Sequence, residues 1–158
     1  MKLVKLLPEQ VEKVWHLVEY AIQESVPPTV AGDVRVLAKT NELILEGRMD
    51  VWIAFEEEVE KISTTEKGTL AAQVLGVVIT TVYLDVATGF PTLLIWALAS
   101  LGNGALKETD WSTGIQTLKQ YATAKGCSRV IAFTDNPGIV SLSKKLGADV
   151  RFVLTFEV

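Results

Sequence analysis

The reading of the fold turns on residues 119–158, KQYATAKGCSRVIAFTDNPGIVSLSKKLGADVRFVLTFEV. The stretch opens inside a helix that stops at Gly126, a residue type that accepts the backbone turn of a helix end. Residues 129–134 follow as a strand. Asn136 then opens a helix that closes at Leu146-Gly147, and residues 149–157 make a final strand.

Outward from there, the helix ending at Gly126 begins near Asp110 and carries Trp111, Ile115, Leu118 and Ala122 on one face at helical spacing. Before it lie 32 residues, 70–101, with one charge, Asp85. By hydropathy alone this could be a membrane span. Asp85, Gly89 and Pro91 cut it into pieces too short to cross as a helix, and the Val, Ile and Thr of the first piece favour strands. We read residues 70–84 as a long strand with a bulge near Gly76, 85–89 as a turn, and 91–101 as a strand apolar on both faces. Two such strands, one turn apart, should pair antiparallel at the centre of a layered sheet.

The N-terminal part supplies the covering elements. Residues 2–6 form a short strand, and Pro8 starts a helix with Val11, Val14, Trp15, Val18 and Ile22 on one face. Pro27 and Pro28 end it. Asp33 can cap a second helix, with Val34, Leu37, Ala38 and Leu45 facing inward and Gly47 as its stop. Residues 51–57 form a strand, and the charged segment 58–68 is a solvated hairpin loop. The acidic run Glu56, Glu57, Glu58 and Glu60 reads as the wet end of that strand. No repeat or linker interrupts the chain, so 1–158 is one domain.

Composition narrows the function. The chain has 49% apolar and 22% charged residues, with 19 acidic against 15 basic side chains and a net charge of −4. Nucleic acid is disfavoured as a partner, because attraction to phosphate needs a basic face. The start of the chain does not read as a signal peptide, and no membrane partner is expected. The single cysteine, Cys127, excludes an intrachain disulfide and a cysteine-based metal site, and reads as a small buried hydrophobe. The single histidine, His16, sits between core positions of the first helix as a surface residue. Trp15, Trp96 and Trp111 fall on apolar faces.

The element order βααβββαβαβ, with Gly126, Asn136, Leu146 and Gly147 at family spacing, resembles the GNAT (N-acetyltransferase) superfamily over the whole chain. The resemblance implies an α/β (α+β) fold: a central mixed, mostly antiparallel sheet with helices on both faces. It also implies that acetyl-CoA would lie in a notch where the fourth and fifth strands splay, its pyrophosphate on amides at the start of the next helix. Such amides are free donors at the positive helix end.

The chain departs from the family pattern in three places. The pyrophosphate loop of the family, Gln/Arg-x-x-Gly-x-Gly/Ala, has two alignments here. Counting back from Gly126 puts Thr109 and Trp111 at the glycine positions, beside Glu108 and Asp110, with Asp110 capping the helix. The other alignment uses Ala99, Gly102, Asn103 and Gly104, with Asn136 beyond, as the cofactor-binding set, unless Gly102 and Gly104 serve only to make a loop. The family's tyrosine acid falls on Ser143. Residues 91–101 offer no titratable base, which leaves Tyr83 and Asp85 nearby as candidates that read more simply as packing aromatic and turn former.

The resemblance therefore implies a GNAT-fold protein with degraded motifs: a non-catalytic binding or structural module without a resident cofactor, with a protein partner or self-association. Leu146-Gly147-Ala148 and Ser143 are similar to short phage-encoded GNAT-like proteins, which implies a cytoplasmic or virion location. The alternative is an active N-acetyltransferase using acetyl-CoA. No catalytic residue is assigned.

Overall fold

Among the described residues five strands form one sheet in the order β1-β2-β3-β4-β5, sequential from one edge to the other. They are β1 (Lys2–Lys5), β2 (Met49–Phe55), β3 (Val74–Leu84), β4 (Pro91–Ser100) and β5 (Arg129–Ala132). The first four are antiparallel neighbours and β5 joins β4 in parallel, so the sheet is mixed and mostly antiparallel. The structure is a computed structural model that describes residues 1–25, 35–56, 74–101, 107–152, 154 and 156. Pro27, Pro28, Asp33, Val34, segment 58–68 and the glycines at 102 and 104 lie outside the described residues.

Helices cover both faces. On one side lie α1 (Pro8–Val11), the 3-10 turn Glu12–Val14, α2 (Trp15–Ser25) and α3 (Arg35–Leu45). Their Val18, Ala21, Ile22 and Ile44 pack on Val51, Ile53, Val77 and Ile79 of the sheet. On the other side α4 (Glu108–Ala124) sets Leu118 and Ala122 against Trp52, Ala54, Val78, Leu93 and Ile95. Alternate residues of β2 and β3 thus feed opposite cores, as strand geometry requires. Each fully buried Val, Leu or Ile contributes about 1.5–3 kcal/mol relative to exposure, so these two cores hold the fold. A polar brace adds to the α4 side: Tyr121 donates to Asp50 Oδ2 at 2.5 Å, and Lys5 donates to Asp50 Oδ1 at 3.0 Å. Trp52 meets the Tyr121 ring edge-on at 4.9 Å.

Two bulges shape the centre. In β3 the register passes from Ala54↔Gly76 to Phe55↔Val74, leaving Leu75 extra, beside the glycine where sequence placed a bulge. A Cβ on Gly76 would come within 2.8 Å of the Ala99 carbonyl, so only glycine lets β4 approach this closely. In β4 the register passes from Ile79↔Ala97 to Thr80↔Ile95, leaving Trp96 extra. The consequence is an inversion of facing: Leu93 and Ile95 point to α4, while Ala97 and Ala99 point to α2. The antiparallel pairing of β3 with β4 at the sheet centre, expected from their apolar character, is what forms.

Several expectations need correction. Residues 149–157 do not form a strand among the described residues; Phe152, Leu154 and Phe156 stand 92%, 79% and 83% exposed. A strand forms only where a neighbour takes its amides, and among the described residues β5, four residues long, pairs with β4. In α3 the inward residues are Thr40 and Ile44, with Val36, Leu37 and Leu43 partly covered; Ala38 and Leu45 face out. The Gly47 stop holds: its φ is +69°, and Arg48 N–H returns to the Leu43 carbonyl. The α4 helix starts at Glu108 with Lys107 as N-cap, so Asp110 lies inside the first turn and caps nothing. Its expected inner face is otherwise observed: Trp111, Leu118 and Ala122 are buried and Ile115 packs beside them.

Candidate functional site

The parallel contact of β4 with β5 runs only from Thr92↔Arg129 to Ile95↔Ala132. Beyond Ile95 the Trp96 bulge turns β4, which continues to Ser100 bonded to β3 alone. From Ala132 the chain leaves through residues 133–136 into α5 (Pro137–Lys145). The wedge between the two departing backbones is a cleft of about 420 Å³. Three elements wall it: the free edge of β4, the last turn of α2, and the loop into α5.

The free edge of β4 is partly claimed by the protein itself. Leu98 N–H donates to Ser25 Oγ at 2.7 Å, and that hydroxyl in turn donates to the Ala21 carbonyl at 2.9 Å. The end of α2 is thereby tied to the strand edge. At the opposite wall, Asn136 caps α5 by accepting from Gly138 N–H at 2.9 Å and Ile139 N–H at 3.3 Å, the role that asparagine serves at helix starts.

Trp111 forms the base. It is buried to 6% exposure and lines both this cleft and a smaller apolar cavity under α4. Its indole N–H donates to Ser143 Oγ at 3.2 Å, joining α4 to α5. Ser143, the residue in the position of the family's tyrosine, is thus an acceptor held by an indole. The first turn of α4 carries Glu108 and Asp110, which offset the positive end of the helix dipole. Glu108 is further paired with Lys145 at 2.6 Å.

The charge lining the cleft is negative. Among the described residues Glu24 and Asp135 border it, and no Lys, Arg or His does. Tyr20, Gln23 and Glu24 reach it from α2, at the i, i+3, i+4 spacing that puts them on one face. Sequence reasoning missed this set. The signal was a polar stripe on an otherwise apolar helix, but nothing along the chain says that its last turn meets the edge of β4.

Ala99 is buried in β4 and borders the cleft, as does Asn136; Gly102, Asn103 and Gly104 lie outside the described residues. Asp85 sits at the β3–β4 turn, six strand residues or roughly 20 Å from the bulge at 3.3 Å per residue. It accepts from Thr88 and Ala87 amides at 2.9 and 3.0 Å, and these donors, Thr88 first, hold its carboxyl below the usual range. It forms a turn, remote from the cleft. Tyr83 is 38% exposed on the same end of β3. His16 is exposed, and burial pushes the Cys127 thiol up, which keeps it protonated. No helix among the described residues is long and apolar enough to cross a membrane.

A mixed sheet of this order, helices on both faces and a splayed fourth and fifth strand define the GNAT acetyltransferase fold. Solved acetyltransferases agree with it along the whole chain. An aminoglycoside acetyltransferase from an uncultured soil metagenomic sample superposes with a TM-score of 0.65 at 15% identity, covering 99% of this chain and 96% of its own. The ribosomal-protein-alanine N-acetyltransferase of Brucella melitensis gives 0.61 at 12%, covering 99% and 100%. An aminoglycoside N-acetyltransferase in complex with CoA gives 0.61 at 13%, covering 99% and 93%. No protein-family model matches the sequence, and no curated protein matches it.

Proposed function

We propose that this protein is a GNAT-fold binding module rather than an acetyl-transferring enzyme. The observation that carries this reading is the Trp111–Ser143 contact. It puts a buried indole at the base of the cleft and fixes in place the serine that stands where the family has a phenol, its oxygen accepting from the indole. A serine hydroxyl is too weak an acid to protonate a departing thiolate efficiently. The residues present also fit acetyl-CoA poorly. Its phosphates would meet the Asp110 carboxylate in the first turn of α4, where Glu108 is already paired with Lys145, and a cleft lined by Glu24 and Asp135 without a cation among the described residues; like charges nearby oppose binding. A place in a phage particle is a narrower form of the same reading, supported by Leu146-Gly147-Ala148 and Ser143.

Isothermal titration with acetyl-CoA is the direct test. The expected result is no saturable heat up to millimolar ligand. Micromolar binding would overturn the reading.

One observation favours the competing reading, an N-acetyltransferase: Tyr20 and Glu24 border the cleft together. A carboxylate could take a proton from an amine acceptor and a phenol could return one. Steady thiol release with an amine acceptor, lost in Glu24→Gln and Tyr20→Phe, would establish that activity.

A further inference from the structure

The cleft is lined by four aromatic side chains and two carboxylates. Tyr20 comes from α2, Trp96 from the β4 bulge, Trp111 from α4 and Phe133 from the loop into α5. Glu24 and Asp135 stand on the α2 and loop walls, and no Lys, Arg or His among the described lining residues offsets them. Aromatic faces are negative and attract cations, tryptophan most strongly. The volume, about 420 Å³, suits a small organic ligand.

Hydrogen bonding narrows the kind of cation. Several oxygen acceptors of the walls are already engaged by the protein's own amides. Ser25 Oγ accepts from Leu98 N–H at 2.7 Å, and Thr134 Oγ1 accepts from Asn136 N–H at 3.1 Å. Asn136 Oδ1 accepts from both Gly138 and Ile139 N–H. A primary ammonium brings three donors, and a metal ion demands a full set of oxygens. A quaternary ammonium brings no N–H and needs only negative charge and ring faces around it. One donor of the wall also lacks an acceptor: the Trp96 indole N–H is shielded from solvent and has no hydrogen-bond partner among the described residues. A buried donor left in that state is costly, and an oxygen on the ligand would relieve it.

We propose that the cleft binds a quaternary ammonium compound that carries a hydroxyl or carbonyl oxygen. Its methylated head lies among the four rings, Glu24 and Asp135 supply the countercharge, and its oxygen takes the Trp96 N–H. This deepens the binding-module reading and rests on it. A quaternary nitrogen has no lone pair to accept an acetyl group, so such a ligand is bound without being modified.

The test is isothermal titration of the full chain with choline chloride, which should show saturable binding. The neutral isostere 3,3-dimethyl-1-butanol, of the same shape without charge, should bind at least about tenfold more weakly. Ethanolamine, the primary amine, should also bind more weakly than choline. Phosphocholine should be disfavoured by its phosphate beside Glu24 and Asp135. A trimethyl-lysine peptide titrated in parallel tells whether a protein side chain or a free compound is the better source of the head group. Tyr20→Leu, and Glu24→Gln with Asp135→Asn, should each weaken choline about fivefold or more, and Tyr20→Phe should retain it. These side chains are exposed, so the fold should survive, as circular dichroism will show. No saturable heat at millimolar choline would overturn the proposal. So would equal binding of the neutral isostere, or indifference to Tyr20→Leu. The acetyl-CoA titration separates the two readings. If neither compound binds, this proposal falls and the binding-module reading stands. If acetyl-CoA binds and choline does not, both fall.

Discussion

The centre of the sheet and its C-terminal end both carry apolar stretches, the second interrupted by charges such as Lys144, Lys145, Asp149 and Arg151, and they are covered very differently. In β3 and β4, Val77, Ile79 and Leu93 are 0% exposed, because helices lie on both faces and strands on both edges. In β5 and α5 no residue is fully buried, and the tail beyond holds two phenylalanines in water. Apolar character alone does not make a core. Burial requires neighbours, and among the described residues the last βα unit has β4 on one side only. The same asymmetry opens the cleft, since β5 follows β4 for four residues and then departs.

The comparison can be broken first at the centre. Leu93→Ala removes a fully buried side chain packed under α4 and should cost about 3–4 kcal/mol in urea unfolding. Ile139→Ala in α5, whose side chain is only partly covered, should cost less than Leu93→Ala, on the order of 1–2 kcal/mol. Equal losses would mean that the two regions are not differently packed. Gly76→Ala comes next. Its new methyl would press on the Ala99 carbonyl, and since both atoms belong to paired strands the loss should be about 1–3 kcal/mol.

Tyr121→Phe should cost about 2 kcal/mol, the usual value for a hydrogen bond to a charged group. The pH dependence gives a second reading of the same brace. Burial first, and then the Asp50 carboxylate, hold the Tyr121 phenol above its ordinary range. Its contribution is therefore full below the unfolded value near 10 and is lost as pH rises beyond it. The alkaline decline in stability between about pH 9 and 11 should be shallower in Tyr121→Phe than in the parent. An unchanged slope would show that the phenol titrates freely.

A small effect also belongs to the open end. Asn136→Ala removes the two cap bonds of α5 and should cost about 1 kcal/mol. Hydrogen exchange should report it as faster exchange of the α5 amides, while those of β3 keep their protection. Slowing or no change in α5 would indicate that the helix is held by contacts other than its cap.

Much of this was legible along the chain because the signals are local. Gly47 and Gly126 ended helices where a residue with positive φ was needed, at +69° and +73°. Asn136 started α5 through its own side chain. The charge-poor segment around Asp85 became two paired strands because its turn residues close a short loop. Other features were hidden because they depend on neighbours distant in sequence. The inward face of α3 shifted to Thr40 and Ile44, since the sheet beneath it, not the helix pattern alone, selects the buried stripe. The start of α4 moved to Glu108, which removed Asp110 from the cap position.

By itself the sequence determined the order of the elements, the two apolar central strands, the helix stops and the GNAT-like arrangement, because periodicity, glycine conformation and capping act within a few residues. The tertiary structure alone decided that Trp96 would bulge and invert the facing of β4, and that Tyr20, Glu24 and Asp135 would meet across one cleft. It alone set the Trp111 indole on Ser143, 32 residues away, and left Phe152, Leu154 and Phe156 exposed. Those outcomes depend on where one element's surface meets another's, and side-chain packing and strand pairing settle that only when the whole sheet has formed.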